Sequence, residues 1–204
     1  MVRPAHPFLQ NAALLVIDAQ IGFDAPAWGP RNNPDAEANI ATLISAWRGA
    51  AGLVVHVHHD SRHNSGHFRL GTPGHKPKPE AQPRSSDWIY AKRVNSAFIG
   101  TSLERDLRAI DITTLVIVGF TTNHCISTTA RMAGNLGFAT FVVADATAAF
   151  DRANLDGTIR PADEVHQSAL SDLQDEFARI VDMQWLLCAF AADPTPHVAE
   201  AHHA

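Results

Sequence analysis

Residues 115–130 read LVIVGFTTNHCISTTA, and this passage places a cysteine where an apolar strand turns into a helix. The run 115–119 is short, apolar and rich in β-branched residues, as buried strands are. From Ile126 onward the apolar residues recur at helical spacing, so Cys125 falls near a helix N-terminus. Free backbone N–H groups and the helix dipole stabilise a thiolate there, which predicts a Cys125 pKa lowered towards neutrality. The alternative is a small buried residue that packs between sheet and helix.

Two charged residues stand at the ends of other apolar runs. Asp18 follows the run 12–17, and Lys92 follows the strand-like residues 88–91. Active sites of α/β proteins form where parallel strands end, so both side chains are expected at that edge of the sheet. The chain has three lysines against thirteen arginines, which suggests that Lys92 supplies a compact ammonium donor. The alternatives are a cap or turn residue for Asp18 and a solvated charge for Lys92.

Strand and helix patterns alternate along the rest of the chain. We predict strands at 12–17, 53–58, 88–91, 114–119, 141–145 and 179–182. Helices are predicted from Asn33 to Gly52, from 101 to 109, from the Cys125 region to Gly137, and from Pro161 through Leu173 and Phe177. This order predicts an α/β fold, a doubly wound, mostly parallel six-stranded sheet with helices on both faces, as in Rossmann-like proteins. Residues 59–87 form a loop long enough to act as a lid or subunit contact.

Composition narrows the class of protein. With 204 residues, 46% of them hydrophobic, and no dividing linker, residues 1–204 are predicted to form a single domain with a loose tail at 193–204. A formal charge of -5 without a basic block argues against nucleic acid as a partner. The apolar runs are too short for a membrane span and the N-terminus lacks a signal-peptide pattern, so we expect a cytoplasmic protein. Cys188, in an apolar helical stretch, is expected in the core of a protein from a reducing compartment.

Three blocks of sequence together resemble the isochorismatase-like cysteine hydrolases, a family that includes nicotinamidases and other small-amide hydrolases. The blocks are residues 15–20 with Phe23, Lys92 followed by 96–98 and 101–103, and residues 119–121 followed by Cys125 and 129–130. They occur in the family's order and span residues 12 to about 180. The resemblance implies an isochorismatase-like fold, a catalytic triad of Asp18, Lys92 and Cys125, and a cis peptide between Phe120 and Thr121.

A mechanism follows from these roles. Asp18 takes the thiol proton, Lys92 holds the ion pair, and the Cys125 thiolate attacks the carbonyl of a small amide to form a thioester. The backbone N–H groups of Thr121 and Cys125 are predicted to meet the developing oxyanion. Two alternatives stay open: a non-enzymatic oligomeric scaffold or ligand-binding member, and an isochorismatase-type vinyl-ether hydrolase. Relatives of the latter kind lack this cysteine, so Cys125 favours cleavage of a C–N bond.

Several further residues are candidates for the substrate pocket. Phe23, Trp28, Asn123 and His124 flank the predicted active-site residues and combine aromatic walls with polar groups. The alternative for Phe23 and Trp28 is that they only cover the core. Gln20 shares a strand face with Asp18 and is expected to orient it. We expect a homo-oligomer, either a dimer or a tetramer, with a small-molecule amide as substrate and no membrane partner.

Several histidines lie close together in the sequence and are candidate ligands of a metal ion. The candidates are His56, His58, His59, His63 and His67, with Asp60 among them. Nicotinamidases hold a metal through an aspartate and histidines in a comparable loop, but the spacing here departs from that pattern. We therefore expect solvated loop histidines and no metal or other cofactor. His202 and His203 are assigned to the loose tail.

Overall fold

The structure is a computed structural model that describes residues 11–62 and 66–191. Its strands are β1 (Ala12–Ile17), β2 (Leu53–His59), β3 (Trp88–Lys92), β4 (Thr114–Phe120), β5 (Ala139–Ala148), β6 (Arg152–Ala153), β7 (Ile159–Arg160) and β8 (Arg179–Val181). Six of them form one sheet in the order β3-β2-β1-β4-β5-β8, and every neighbouring pair is parallel. His63, the tail at 193–204 and the two histidines assigned to that tail lie outside the described residues.

Helices cover both faces of this sheet. They are α1 (Ala36–Gly49), α2 (Leu103–Arg108), α3 (Ser127–Asn135), α4 (Ala162–Ser171) and α5 (Met183–Ala191). The side chains of β1 alternate between two cores, with Leu14 packing on the α1 and α5 side and Leu15 packing on the α2, α3 and α4 side. The predicted doubly wound α/β architecture is therefore confirmed. No helix within the described ranges combines the length and apolar character needed to cross a membrane.

The structure departs from the predicted elements in several places. Helix α4 ends at Ser171, so Leu173 and Phe177 reach the core from the turns that follow it. Strand β5 runs three residues beyond its predicted end, and the short antiparallel pair β6–β7 was not predicted. The prediction that Cys188 lies in the core was wrong, because its side chain is exposed. It follows the fully buried Leu186 by two residues, which is about 200° around the helix.

A close backbone approach joins the two central strands at the edge where they end. Strands β1 and β4 run in register from Ala12 opposite Thr114 to Ile17 opposite Gly119. Gly119 has φ +117°, and a Cβ at this position would lie 1.9 Å from the Ile17 carbonyl oxygen. Only glycine fits such a contact. As a result, Asp18 and the turn after β4 begin side by side.

This contact predicts a large effect of one methyl group. Gly119→Ala should lower the free energy of unfolding by about 3 kcal/mol or more, because backbone strain and a clash with Ile17 act together. Gly137→Ala is the control, since Gly137 also has a positive φ, +83°, but a Cβ there meets no atom within 4 Å. That variant should lose about 1–2 kcal/mol from strain alone. Urea denaturation measures both values, and equal losses would contradict the steric argument.

Candidate active site

The carboxyl ends of β1 and β3 and the turn after β4 bring Asp18, Lys92 and Cys125 together at one edge of the sheet. Asp18 directly follows β1, and its backbone N–H donates to the Val57 carbonyl at 2.8 Å. Lys92 is the last residue of β3. Cys125 lies in a π-helical turn, Thr122–Ile126, between β4 and α3. The Lys92 Nζ atom lies 2.7 Å from Asp18 Oδ2 and 3.2 Å from Cys125 Sγ. The three residues singled out from the sequence therefore form one cluster.

The three residues of this cluster are almost completely buried. Asp18 and Lys92 are each 1% exposed, and Cys125 is 8% exposed. Burial of an unpaired charge is costly, so the carboxylate and the ammonium depend on each other. The second carboxylate oxygen, Asp18 Oδ1, is buried and has no hydrogen-bond partner among the described groups. A carboxylate oxygen of Asp18 lies within 4.8 Å of the Cys125 sulfur, so a proton acceptor stands beside the thiol.

The surroundings of Cys125 keep its thiol protonated. Burial and the negative charge of Asp18 raise the Cys125 pKa to about 12, although the Lys92 ammonium opposes them. The prediction of a pKa lowered by the helix terminus was therefore wrong, since burial and the carboxylate outweigh that effect. Burial alone would lower the Lys92 pKa, but the charge of Asp18, and that of Cys125 when it is ionised, raise it above the ordinary value. At neutral pH the site holds a neutral thiol and a charged ammonium.

The turn that carries Cys125 begins with an unusual peptide bond. The Phe120–Thr121 bond is cis, as the family resemblance implied. The Thr121 carbonyl accepts hydrogen bonds from the N–H groups of His124, at 3.1 Å, and Ile126, at 3.2 Å. Neither bond uses the intervening Cys125 N–H. The assignment of the Thr121 and Cys125 N–H groups to an oxyanion site stays a prediction.

Two of the predicted pocket residues lie in the same turn as Cys125. Asn123 and His124 are half-buried in the Cys125 turn. The His124 ring has Nδ1 3.2 Å from Thr121 Oγ1 and Nε2 3.4 Å from Asn123 Nδ2. Burial, and then the charge of Arg152, lower the His124 pKa, so a neutral ring is favoured there.

The other two predicted pocket residues belong to an aromatic group. The rings of Phe23 and Trp28 lie 5.1 Å apart, and that of Phe23 is 4.6 Å from the ring of Phe68. Phe68 comes from the long loop between β2 and β3 and lies 5.9 Å from the His59 ring, edge to face. The aromatic group thus reaches the charged cluster through His59. Whether it binds a ligand stays a prediction.

The sequence reasoning named His59 only as a candidate metal ligand and missed its contact with Lys92. His59 ends β2 opposite Lys92, and its Nδ1 atom lies 3.2 Å from Lys92 Nζ. The Gln20 side chain accepts from the His59 N–H at 2.8 Å and donates to the His59 carbonyl at 3.2 Å and the His75 carbonyl at 2.7 Å. Gln20 therefore holds the end of β2, and the expectation that it orients Asp18 was wrong. The role of His59 can be recognised only from the register in which β2 pairs with β3.

Two other contacts of the Cys125 turn were also missed. The Asn95 Oδ1 atom lies 3.9 Å from Cys125 Sγ, and Asn95 is exposed, so it borders the thiol on the solvent side. His166, buried on α4, lies with Nδ1 2.8 Å from Thr122 Oγ1. The sequence could have indicated His166, because it is a polar residue in the middle of an apolar helix face.

His67 is exposed, as expected of a solvated loop histidine. The expectation was wrong for His56, His58 and His59, which lie on β2 and are buried or half-buried. His56 is buried on an interior strand, with Nε2 3.3 Å from a carboxylate oxygen of Asp87. Within the described ranges, one group of side chains has metal-ligand spacing, formed by Asp18, His59 and Cys125. The Lys92 ammonium lies within hydrogen-bonding distance of all three. A cation of the protein's own already fills this position, so these residues do not suit a resident metal ion.

Comparison with known proteins identifies the family. The family model described as the isochorismatase domain matches residues 12–184, and the chain belongs to this family of hydrolases. It is 41% identical over 181 residues to the isochorismatase family protein YrdC of Bacillus subtilis, covering 89% of this chain and 97% of YrdC. An isochorismatase-family crystal structure from Chromobacterium violaceum superposes with a TM-score of 0.88 at 42% identity, covering 94% of this chain and 99% of that one.

A third relative has a named activity. Nicotinamidase 3 of Arabidopsis thaliana is 31% identical over 193 residues, which cover 88% of this chain and 89% of the relative. The predicted family and fold are thereby confirmed.

The electrostatics of the cluster predict how Cys125 reacts with iodoacetamide. At pH 8 Cys125 should be alkylated more slowly than the exposed Cys188, which serves as the internal control. Asp18→Asn removes the negative charge that raises the thiol pKa, so it should shift the alkylation profile of Cys125 to lower pH. Lys92→Met should shift it to higher pH. Peptide mapping by mass spectrometry follows both cysteines, and unchanged profiles in both variants would contradict this account.

Proposed function

We propose that the protein is a cysteine hydrolase that cleaves the C–N bond of a small amide through a thioester on Cys125. The observation that carries this proposal is that the two carboxylate oxygens of Asp18 have different surroundings. One of its oxygens is bound to Lys92, while the other is buried without a described partner beside a protonated thiol. A thiol in this state needs a base, and the oxygen that Lys92 leaves free is the acceptor that supports this role for Asp18.

The first step moves a proton without changing the charge of the buried site. The thiol gives its proton to Asp18 Oδ1, so the negative charge passes from the carboxylate to the sulfur. Lys92 already contacts both atoms and stays paired throughout. Because the buried net charge is constant, the step avoids the cost of creating an unpaired ion in a dry site. Lys92 thereby favours the thiolate at the moment of attack.

The later steps use the same proton. The thiolate attacks the carbonyl carbon, and the resulting oxyanion accepts hydrogen bonds from the Thr121 and Cys125 N–H groups. The C–N bond then breaks, and Asp18 returns the proton to the departing nitrogen as ammonia or an amine leaves. Asp18 then takes a proton from water, the hydroxide attacks the thioester carbonyl, and the C–S bond breaks to release a carboxylic acid. Asp18 passes the proton to the leaving sulfur, which restores the free thiol.

The surroundings of the thiol support a small substrate. Cys125 is only 8% exposed, so the reacting carbonyl must belong to a compact group. Asn95 supplies a polar group 3.9 Å from the thiol, and Asn123 and His124 lie in the same turn as Cys125. Phe23 and Trp28 belong to the aromatic group described above. The name of the relative nicotinamidase 3 also states hydrolysis of a small amide, which supports the C–N bond as the target.

Covalent trapping tests the nucleophile. With a panel of small primary amides, rapidly quenched wild-type protein should carry an acyl group whose peptide maps to Cys125. Cys125→Ala should show no adduct and no hydrolysis while its circular dichroism stays native, because the side chain is small. Cys188→Ser is the matched control and should form the adduct normally. Turnover near the wild-type rate in Cys125→Ala would reject the covalent mechanism, and a non-enzymatic role would be supported if no amide reacts.

The role of Asp18 has its own test. Asp18→Asn preserves the shape of the side chain but cannot accept the thiol proton, so kcat should fall by at least about 10²-fold. Asp172→Asn, at an exposed carboxylate on the surface, should leave kcat within about twofold of wild type. Steady-state kinetics on the best amide of the panel supply both values. An Asp18→Asn enzyme with more than a third of wild-type kcat would remove Asp18 from the role of base.

A further inference from the structure

We propose that His59 is a positioning residue that holds the Lys92 ammonium through its neutral Nδ1 atom, an inference that rests on the proposed function. An ammonium group has three N–H donors. Lys92 Nζ has three acceptors around it: Asp18 Oδ2 at 2.7 Å, Cys125 Sγ at 3.2 Å and His59 Nδ1 at 3.2 Å. The donors and the acceptors match in number, and His59 completes the set.

The burial of Lys92 makes the third acceptor important. At 1% exposure the ammonium cannot rely on bulk water to accept a hydrogen bond. An unsatisfied N–H on a buried cation is costly. The three acceptors come from different segments, namely the end of β1, the end of β2 and the turn before α3. Together they fix where Nζ lies, and His59 holds it in reach of both the carboxylate and the sulfur.

The backbone of His59 is held in turn. Gln20 bonds both its N–H and its carbonyl, and the ring packs edge to face on Phe68. These contacts restrict the ring to the position from which Nδ1 reaches Lys92. His58, the preceding residue, points to the other face of β2 and approaches the rings of His56 and His75 instead.

The contact also fixes the protonation state in which the cluster works. Nδ1 accepts from an ammonium, so the neutral ring must carry its proton on Nε2. Protonation of Nδ1 would remove the acceptor and place a second cation 3.2 Å from Nζ. The charged or titratable groups that face His59 are Lys92, Asp18, Asp60 and His75, together with Cys125, whose sulfur lies within 4.8 Å of a His59 ring nitrogen. Burial first and the Lys92 charge second lower the His59 pKa, which keeps the ring neutral at pH 7. Activity should therefore fall as the pH drops through this lowered pKa.

Two substitutions distinguish the effect of losing the hydrogen-bond acceptor of His59 from the effect of losing its titration. His59→Leu keeps bulk but removes the acceptor, and it should lower kcat by at least about tenfold, as expected for one hydrogen bond to a charged group, with little change in KM. His59→Asn offers a carbonyl oxygen that does not titrate. It should keep kcat at pH 8 within about threefold of wild type, and the acid limb of its pH profile should move to lower pH. His58→Asn is the matched control and should behave as wild type in both measurements.

Alkylation of Cys125 supplies a readout that needs no substrate. In His59→Leu the loosened ammonium should stabilise the thiolate less, so the iodoacetamide profile should move to higher pH, while His59→Asn should keep the wild-type profile. If no amide is hydrolysed, the proposed function fails, but these shifts still test the contact. An unmoved acid limb in His59→Asn, or a wild-type alkylation profile in His59→Leu, would overturn the role of His59. If His59→Leu does not fold, the acid limb of His59→Asn decides alone.

Discussion

The burial of one ammonium group is the constraint on which the site depends. Lys92 lies in a nearly dry position, where a cation persists only if acceptors surround it. The parallel register of the sheet supplies them, because it brings Ile17 opposite Gly119 and His59 opposite Lys92. The glycine at position 119 allows the two central strands to approach closely enough for this arrangement. The register of the sheet therefore determines whether the buried Lys92 ammonium finds the acceptors that the site needs.

The sequence was sufficient to predict the sheet and the three central residues of the site. Interior parallel strands such as β1 and β4 are covered on both faces, so they appear as continuous apolar runs. Five of the six predicted strands begin and end within one residue of their observed bounds. A charged or nucleophilic residue directly after such a run is visible without coordinates. Asp18 and Lys92 met this criterion, whereas Cys125 was indicated by its position between an apolar run and the start of the next helix. The fold then places all three at the carboxyl edge of the sheet.

Other features depended on distances that no local pattern encodes. The Cys125 pKa is set by burial and by the Asp18 charge, which a helix-terminus argument from sequence does not include. His59 contacts Lys92 only through the pairing of β2 with β3. The burial of His56 follows from the interior position of β2 and its approach to Asp87. Helix rotation exposes Cys188, although its apolar neighbours suggested a core position.

The most direct test of the buried ammonium is ¹⁵N NMR of the lysine side chains. The chain has only three lysines, and Lys92→Arg identifies the signal of interest. At pH 7 the Lys92 Nζ resonance should be that of a charged ammonium with slowly exchanging protons, it should remain charged at pH 9, and it should shift in Asp18→Asn. Lys76, which is exposed, provides the rapidly exchanging reference. A neutral amine at Lys92, or an exchange rate equal to that of Lys76, would contradict the account.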